Sequence, residues 1–219
     1  MGFTLQQITK EMKNHAPFTI FGAFSGILII MIILYGNFLS IISPISENIF
    51  YILHPTHVLL SALVTTTLFI KYGKKNIILI IIVGYTGSIG IATISDSIIP
   101  YLGEILLDLP NPGIHIGFIE EPLITNPPAL IGILIAYVKG ATKFPHAGHV
   151  LVSTWASLFH IIMALGTSVG ILQTFGIFIF LFLAVWIPCC TSDIVYPLLF
   201  SNKNNKNSID KTKLSPTSQ

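Results

Sequence analysis

Three histidines and one aspartate lie inside apolar stretches that are long enough to cross a membrane. His54 and His57 are three residues apart in one stretch, Asp96 ends the next, and His160 lies within a later one. Ionisable side chains are costly in a bilayer, about 2.5–3.5 kcal/mol at the centre of a helix, so by default they mark function. Neutral imidazoles with one carboxylate suit zinc or another divalent ion. The four residues therefore predict a metal site.

Counting the helical rise from the ends of the stretches places all four residues in one layer near the outer surface. Three protein ligands and an open position are typical of a catalytic zinc site. A metal held by His54, His57, His160 and Asp96 would activate a water, and Asp96 or Glu120 would accept its proton. The alternative interpretation is that these histidines only pack and form hydrogen bonds between helices.

The elements that position these residues are predicted to be membrane helices. The chain is 53% hydrophobic and only 9% charged, whereas soluble domains carry about 25% charged residues. A span needs about 20 mostly apolar residues, and lipid-exposed backbone must be helical when the runs are this long. The sequence predicts an all-α, polytopic membrane bundle (residues 18–200) with six transmembrane helices, at residues 18–42, 48–70, 76–95, 123–138, 145–165 and 168–187.

Lysines alternate with pairs of these predicted spans. The chain has no arginine, and its lysines fall in four groups along the sequence: Lys10 and Lys13; Lys71, Lys74 and Lys75; Lys139 and Lys143; and Lys203, Lys206, Lys211 and Lys213. Lysine-rich loops stay on the cytoplasmic side of a membrane. Both termini are therefore predicted to be cytoplasmic, with residues 1–17 as an N-terminal segment and residues 201–219 as a disordered tail.

The longest connection, residues 96–126, is predicted to lie outside. It holds no lysine, is acidic, and contains His115, Glu120 and Glu121, any of which would supply a further ligand or a base. Residues 98–108 have the composition of an amphipathic helix at the membrane interface. This segment is a candidate lid over the predicted site.

A second polar cluster is predicted at the opposite, cytoplasmic side. His146 and His149 begin the fifth span, while Cys189, Cys190 and Asp193 follow the sixth. Two histidines and two thiols are a zinc-binding combination, although zinc cysteines are usually two to four residues apart. The alternative is that the histidines are interfacial and the cysteines pack as small apolar residues.

Three short patches resemble a known family: His57 near the start of a helix, Ser95-Asp96-Ser97 at the end of the next, and His146-Ala147-Gly148-His149. They are similar to those of bacterial and archaeal inner-membrane proteins, the LexA-regulated metal-dependent hydrolases. That family has a doubled acid followed by histidine where this chain has Asp96 alone, and a longer His-to-Thr-His motif. The resemblance implies a metal-dependent hydrolase.

Three functions are consistent with the sequence. The first is a metal-dependent hydrolase of the cell membrane that acts on a lipid or lipid-linked substrate at the outer face. The second is a transporter of divalent cations or protons, for which the acidic outer segment would concentrate cations. The third is an accessory membrane subunit without catalysis. A nucleic-acid partner is not expected, because no basic patch with interleaved aromatic residues exists.

The predicted topology can be tested with single added cysteines at Ser208 and Asn111. A membrane-impermeant thiol reagent applied to intact cells should modify only the cysteine at position 111, because lysine-rich segments remain inside. Labelling at position 208 would overturn the assignment of the termini.

Overall fold

The computed structural model describes residues 5–72, 76–139, 143–166, 169–190 and 196–200. Within these ranges the secondary structure is helical. The helices are α1 (Leu5–Tyr35), α2 (Leu39–Tyr72), α3 (Ile77–Thr93), α4 (Ile99–Leu106), α5 (Gly117–Glu120), α6 (Pro122–Lys139), α7 (Lys143–Ala164), α8 (Ile171–Cys190) and α9 (Tyr196–Leu199), with a π-helical turn at Ile94–Ile98 between α3 and α4.

Five helical segments of the described chain are long and apolar enough to cross a membrane: Ala16–Tyr35, Leu39–Lys71, Ile77–Leu106, Pro122–Lys139 and Ile171–Cys189. A sixth, Gly148–Ala164, is shorter but also apolar. The prediction of an all-α polytopic bundle is thereby confirmed, and the chain is a multi-pass membrane protein. The sidedness of its termini stays a prediction, and the predicted tail lies outside the described residues.

The first two helices meet earlier in the chain than the sequence predicted. The break falls at residues 36–38, so α1 ends before residue 42 and α2 begins before residue 48. Asn37 adopts a left-handed conformation (φ 56), and the N–H of Phe38 donates to the carbonyl of Ile33 at 2.8 Å. This is a Schellman cap, in which asparagine tolerates the left-handed position. Only Gly36 and Asn37 interrupt the apolar residues at this turn, so the predicted first span runs across it.

The third membrane helix continues beyond its predicted end at residue 95. Asn76 caps its start by accepting a hydrogen bond from the N–H of Ile78 at 2.9 Å. Its axis then passes through the π-helical turn into α4 and ends at Leu106. Residues 96–106, predicted to begin the external segment, therefore belong to one helical segment with α3. A helix is present where one was predicted for residues 98–108, but it continues from α3, and its location at the membrane interface stays a prediction.

Helix α2 is the central element of the bundle, since it packs against α3, α6 and α7. One apolar core lies between α2, α3 and α6, and a second lies between α1, α7 and α8. Many large apolar side chains of the outer helices are exposed, such as Phe21 and Phe24 on α1 and Leu134 on α6. In a membrane these faces contact lipid.

The close approach of α2 and α6 depends on Gly132. A β-carbon at this position would lie 2.4 Å from the carbonyl oxygen of Leu59 and 2.9 Å from the β-carbon of Ala62. Gly132→Ala should therefore lower the free energy of unfolding in detergent by about 1–3 kcal/mol, because overpacking forces backbone to move. The matched control is Gly90→Ala, whose new methyl group meets nothing within 4 Å. Equal losses for both variants would contradict the packing argument.

Candidate functional site

The carboxylate of Asp96 is fully buried and accepts hydrogen bonds from four side chains. Its Oδ2 is 3.0 Å from Nδ1 of His54 and 2.7 Å from Nδ1 of His57. Its Oδ1 accepts from the hydroxyls of Ser95 at 2.6 Å and Ser153 at 2.7 Å. We call these five residues the Asp96 cluster. Because a carboxylate only accepts, the hydrogen of each imidazole lies on Nδ1.

Three helical segments supply the cluster, and each has a local reason for its geometry. His54 and His57 are one turn apart on α2 and share a face. Asp96 lies in the π-helical turn, a feature that is frequent at functional sites. Pro100 has no N–H to give to the preceding turn, and the hydroxyl of Ser157 instead donates to the carbonyl of Ser95 at 3.0 Å. Helix α7 therefore completes the turn that carries Asp96.

The other edge of His57 faces residues that the sequence assigned to the opposite side of the membrane. Its Nε2 lies 3.9 Å from Sγ of the buried Cys189, and its ring stacks on that of His149 with centroids 5.9 Å apart. The prediction of two separate clusters was wrong for these residues, because α2 begins at Leu39 and His57 lies deeper than predicted. The side chains of His146 and Cys190 and all of Asp193 lie outside the described part of the chain.

A second buried pair joins α4 to α7. Nδ1 of His160 lies 2.7 Å from Oε1 of Glu104, and both side chains are at most 1% exposed. The other oxygen, Oε2 of Glu104, accepts from the backbone N–H of Gly113 at 3.1 Å. This pair ties the loop after α4 to the bundle.

The aromatic ring of Phe50 lies between the two histidine–carboxylate groups. It stacks on His54 with centroids 5.2 Å apart and an interplanar angle of 9°. It meets His160 edge-on, with centroids 5.5 Å apart. The four predicted ligands are therefore divided: His54, His57 and Asp96 lie together, while His160 belongs to Glu104.

His115 of the loop after α4, Glu120 of α5 and Tyr51 of α2 lie beside His160. The rings of His115 and His160 have centroids 5.4 Å apart. Glu120 accepts a hydrogen bond from Tyr51 and lies 3.4 Å from Nδ1 of His115. We call Glu104, His160, His115, Glu120 and Tyr51 the Glu104 cluster. It is partly open, since the side chains of His115 and Glu120 are 27% and 40% exposed.

Glu120 is held in its ionised form. Burial raises the pKa of its carboxyl, but the hydrogen bonds from Tyr51 and from the backbone of Ile116, together with the imidazole of His115, outweigh that effect. The pKa of Glu120 consequently lies below its ordinary value. An ionised carboxylate at the loop surface is a possible ligand of a cation or acceptor of a proton.

The predicted metal site is not assembled as a set in the described residues, where no three His, Cys, Asp or Glu side chains are grouped to hold one ion. The individual donors do fit a metal. Nδ1 of His54 and of His160 is each bound by a buried carboxylate, while their buried Nε2 atoms have no hydrogen-bond partner. Metal-binding histidines usually have their other nitrogen bound in this way. Metal ligation by His54, His57, His160 and Asp96 stays a prediction.

Glu104 is the main site residue that the sequence did not identify. The predicted third span ends at residue 95, so Glu104 falls within the predicted interfacial helix. The available signal was an acid, Glu104, within the largely apolar run from Ile98 to Leu107 that follows Asp96. The roles of Ser153 and Phe50 carried no such signal, since serine and phenylalanine are ordinary in membrane helices.

No family model, curated protein sequence or solved structure matches this chain.

The Asp96 cluster should contribute strongly to stability. Asp96→Asn removes the charge and replaces one acceptor with a donor, so the four donors cannot all be satisfied. Breaking a buried charged network typically costs about 3–5 kcal/mol, and the unfolding free energy in detergent should fall by that order. The control is Ser97→Ala, which deletes a buried hydroxyl that has no hydrogen-bond partner. Similar stability for the two variants would refute a structural role of the cluster.

Proposed function

We propose that the protein is a hydrolase of the cell membrane that depends on a divalent metal ion, zinc or a similar ion, and acts on a lipid or lipid-linked substrate at the outer face. The observation that carries the proposal is the buried Glu104–His160 pair beside the ionisable loop residues His115 and Glu120. Such a pair has no packing advantage over apolar side chains inside a membrane bundle.

The Glu104 cluster contains the chemical groups that a metal hydrolase needs. Glu104 holds Nδ1 of His160 at 2.7 Å, which leaves Nε2 as the ligating atom. His115 and the ionised Glu120 are the neighbouring groups that would complete the ligands or accept a proton. A bound divalent ion supplies a water of lowered pKa and polarises the scissile group.

The Asp96 cluster has a different role in this proposal. All four of its hydrogen-bond donors are directed at one carboxylate, so Asp96 holds imidazoles in place and ties α2, α7 and the π-helical turn together. Ligation of a metal by Asp96 would require these bonds to be exchanged.

The family resemblance is consistent with the same activity. His57 and Asp96, from two of the resembling patches, are in direct contact, and His149, from the third, stacks on His57. The patches would therefore act together rather than at opposite faces. Substrate would reach the Glu104 cluster below the loop of residues 107–116, from the lipid or from the outer surface.

A transporter of divalent cations or protons is the second candidate, and one observation favours it. The titratable residues form a column along α2 and α7, from Cys189 and His149 through His57, Asp96 and His54 to His160 and Glu120. Such a column is the feature by which intramembrane ion and proton pathways are recognised. The ring of Phe50 interrupts it.

The metal content of the purified protein separates the metal-dependent functions from an accessory subunit without catalysis. We expect the purified protein to retain about one divalent ion per chain by elemental analysis. Glu104→Gln should weaken metal affinity about 10–100-fold, because loss of an orienting partner has that effect on histidine ligands. His160→Ala, alone or with His54→Ala, should abolish binding. Glu47→Gln, an exposed carboxyl on the same side of α2 as Tyr51, is the matched control.

Uptake of the same ion into vesicles that contain the protein distinguishes a transporter from a hydrolase. A transporter should lose uptake in both Asp96→Asn and Asp193→Asn, whereas a hydrolase should keep its bound metal in Asp193→Asn. Wild-type protein without bound metal and without uptake of the ion would leave a proton transporter or the accessory subunit as the remaining functions.

A further inference from the structure

Two buried polar atoms from different helices lie near Gly117, the first residue of α5. A β-carbon on Gly117 would lie 3.0 Å from Nε2 of His54 and 3.0 Å from Oγ1 of Thr125. The two polar atoms can therefore be no farther apart than twice that distance. Both side chains are completely buried, and neither atom has a hydrogen-bond partner in the protein.

The hydroxyl of Thr125, like those of Thr66 and Thr93, lacks the bond that several other helical threonines of the described chain make. The hydroxyls of Thr56, Thr67, Thr86 and Thr154 each donate to the carbonyl four residues earlier in their helix. That bond satisfies a threonine inside a helix without any ligand. Thr125 also lies in a helix, yet its hydroxyl does not make this bond. A buried hydroxyl left unsatisfied costs about 1–3 kcal/mol.

The chemistry of the two atoms selects the group that would satisfy both. Because Nδ1 of His54 donates to Asp96, its Nε2 carries a lone pair and accepts. The Thr125 hydroxyl can donate to an oxygen. A single atom that both gives a hydrogen to the nitrogen and accepts one from the hydroxyl is the oxygen of an O–H group.

We propose that His54, Thr125 and Gly117 form a binding subsite for one O–H group, either a water or the alcohol of a lipid headgroup. Gly117 belongs to the subsite because any larger residue would put its β-carbon 2.7 Å from Cδ2 of His54. Asp96 fixes the acceptor by holding Nδ1. The subsite requires no metal and therefore goes beyond the proposed function.

The subsite shares no residue with the Glu104 cluster but adjoins it, since Gly117 and Glu120 belong to the same short helix α5. Phe50 covers one face of the His54 ring, and Thr125 belongs to α6, which contributes no residue to that cluster. An O–H group held here would lie next to a buried histidine–carboxylate pair.

Nitrogen NMR of histidine-labelled protein in micelles tests the subsite directly. The Nε2 resonance of His54, assigned by its loss in His54→Gln, should show a hydrogen-bonded acceptor. Gly117→Ala and Thr125→Val should both move the chemical shift of this nitrogen in one direction, towards the value of an imidazole nitrogen that accepts no hydrogen bond. Thr125→Ser and the control Gly90→Ala should leave it at the wild-type position. If Gly117→Ala does not fold, the Val and Ser variants at Thr125 decide the matter.

The micelle composition distinguishes the two sources of the O–H group. A water should give the same resonance in a phosphocholine detergent, which lacks hydroxyls, and in a maltoside or in phosphatidylglycerol nanodiscs. A headgroup alcohol should restore the hydrogen-bonded position only in the latter two.

Two results would overturn the inference. One is a His54 resonance that neither Gly117→Ala nor Thr125→Val moves in any of these media. The other is a wild-type resonance that moves on chelator treatment, because His54 would then bind a metal and not an O–H group. Absence of metal at the Glu104 cluster would defeat the proposed hydrolase but would leave a positive result here intact.

Discussion

The carboxylate of Asp96 is the group on which the arrangement of the bundle interior depends. Hydrocarbon offers no water to solvate a charge, so the protein must supply every partner from its own helices. His54 and His57 fix the rotation of α2, and Ser153 fixes that of α7. Once these faces point inward, Phe50, Glu104 and His160 also point inward, because they lie on the same faces farther along the same helical segments.

The interior therefore has two polar levels with an aromatic ring between them. At the first level, the carboxylate of Asp96 is saturated by hydrogen bonds within the protein. The Glu104 level is joined to the loop through Gly113 and includes the partly exposed His115 and Glu120. Rigidity at the first level positions the more accessible second level, which is the division of labour expected of a site built on a scaffold.

The sequence predicted the helices and part of the site because both leave local signals. Apolar runs identify the spans, and His54, His57 and Asp96 stand out as ionisable residues within them. Depths were less predictable, because the Schellman cap interrupts the apolar residues only at Gly36 and Asn37 and moves the start of α2. Glu104 and the contact of His57 with Cys189 depend on how helices distant in sequence pack, for which a single sequence contains no periodic signal.

The π-helical turn also sets the angular register between the two buried acids. Asp96 and Glu104 are eight residues apart, which in a regular α-helix is about 2.2 turns and would point them in clearly different directions. A π-helical turn absorbs one extra residue, as shown by the N–H of Ile99 donating to the carbonyl of Ile94. The remaining seven residues make roughly two turns, so both carboxylates face α7. The one extra residue thus places two buried carboxylates on the same face of one continuous helical segment.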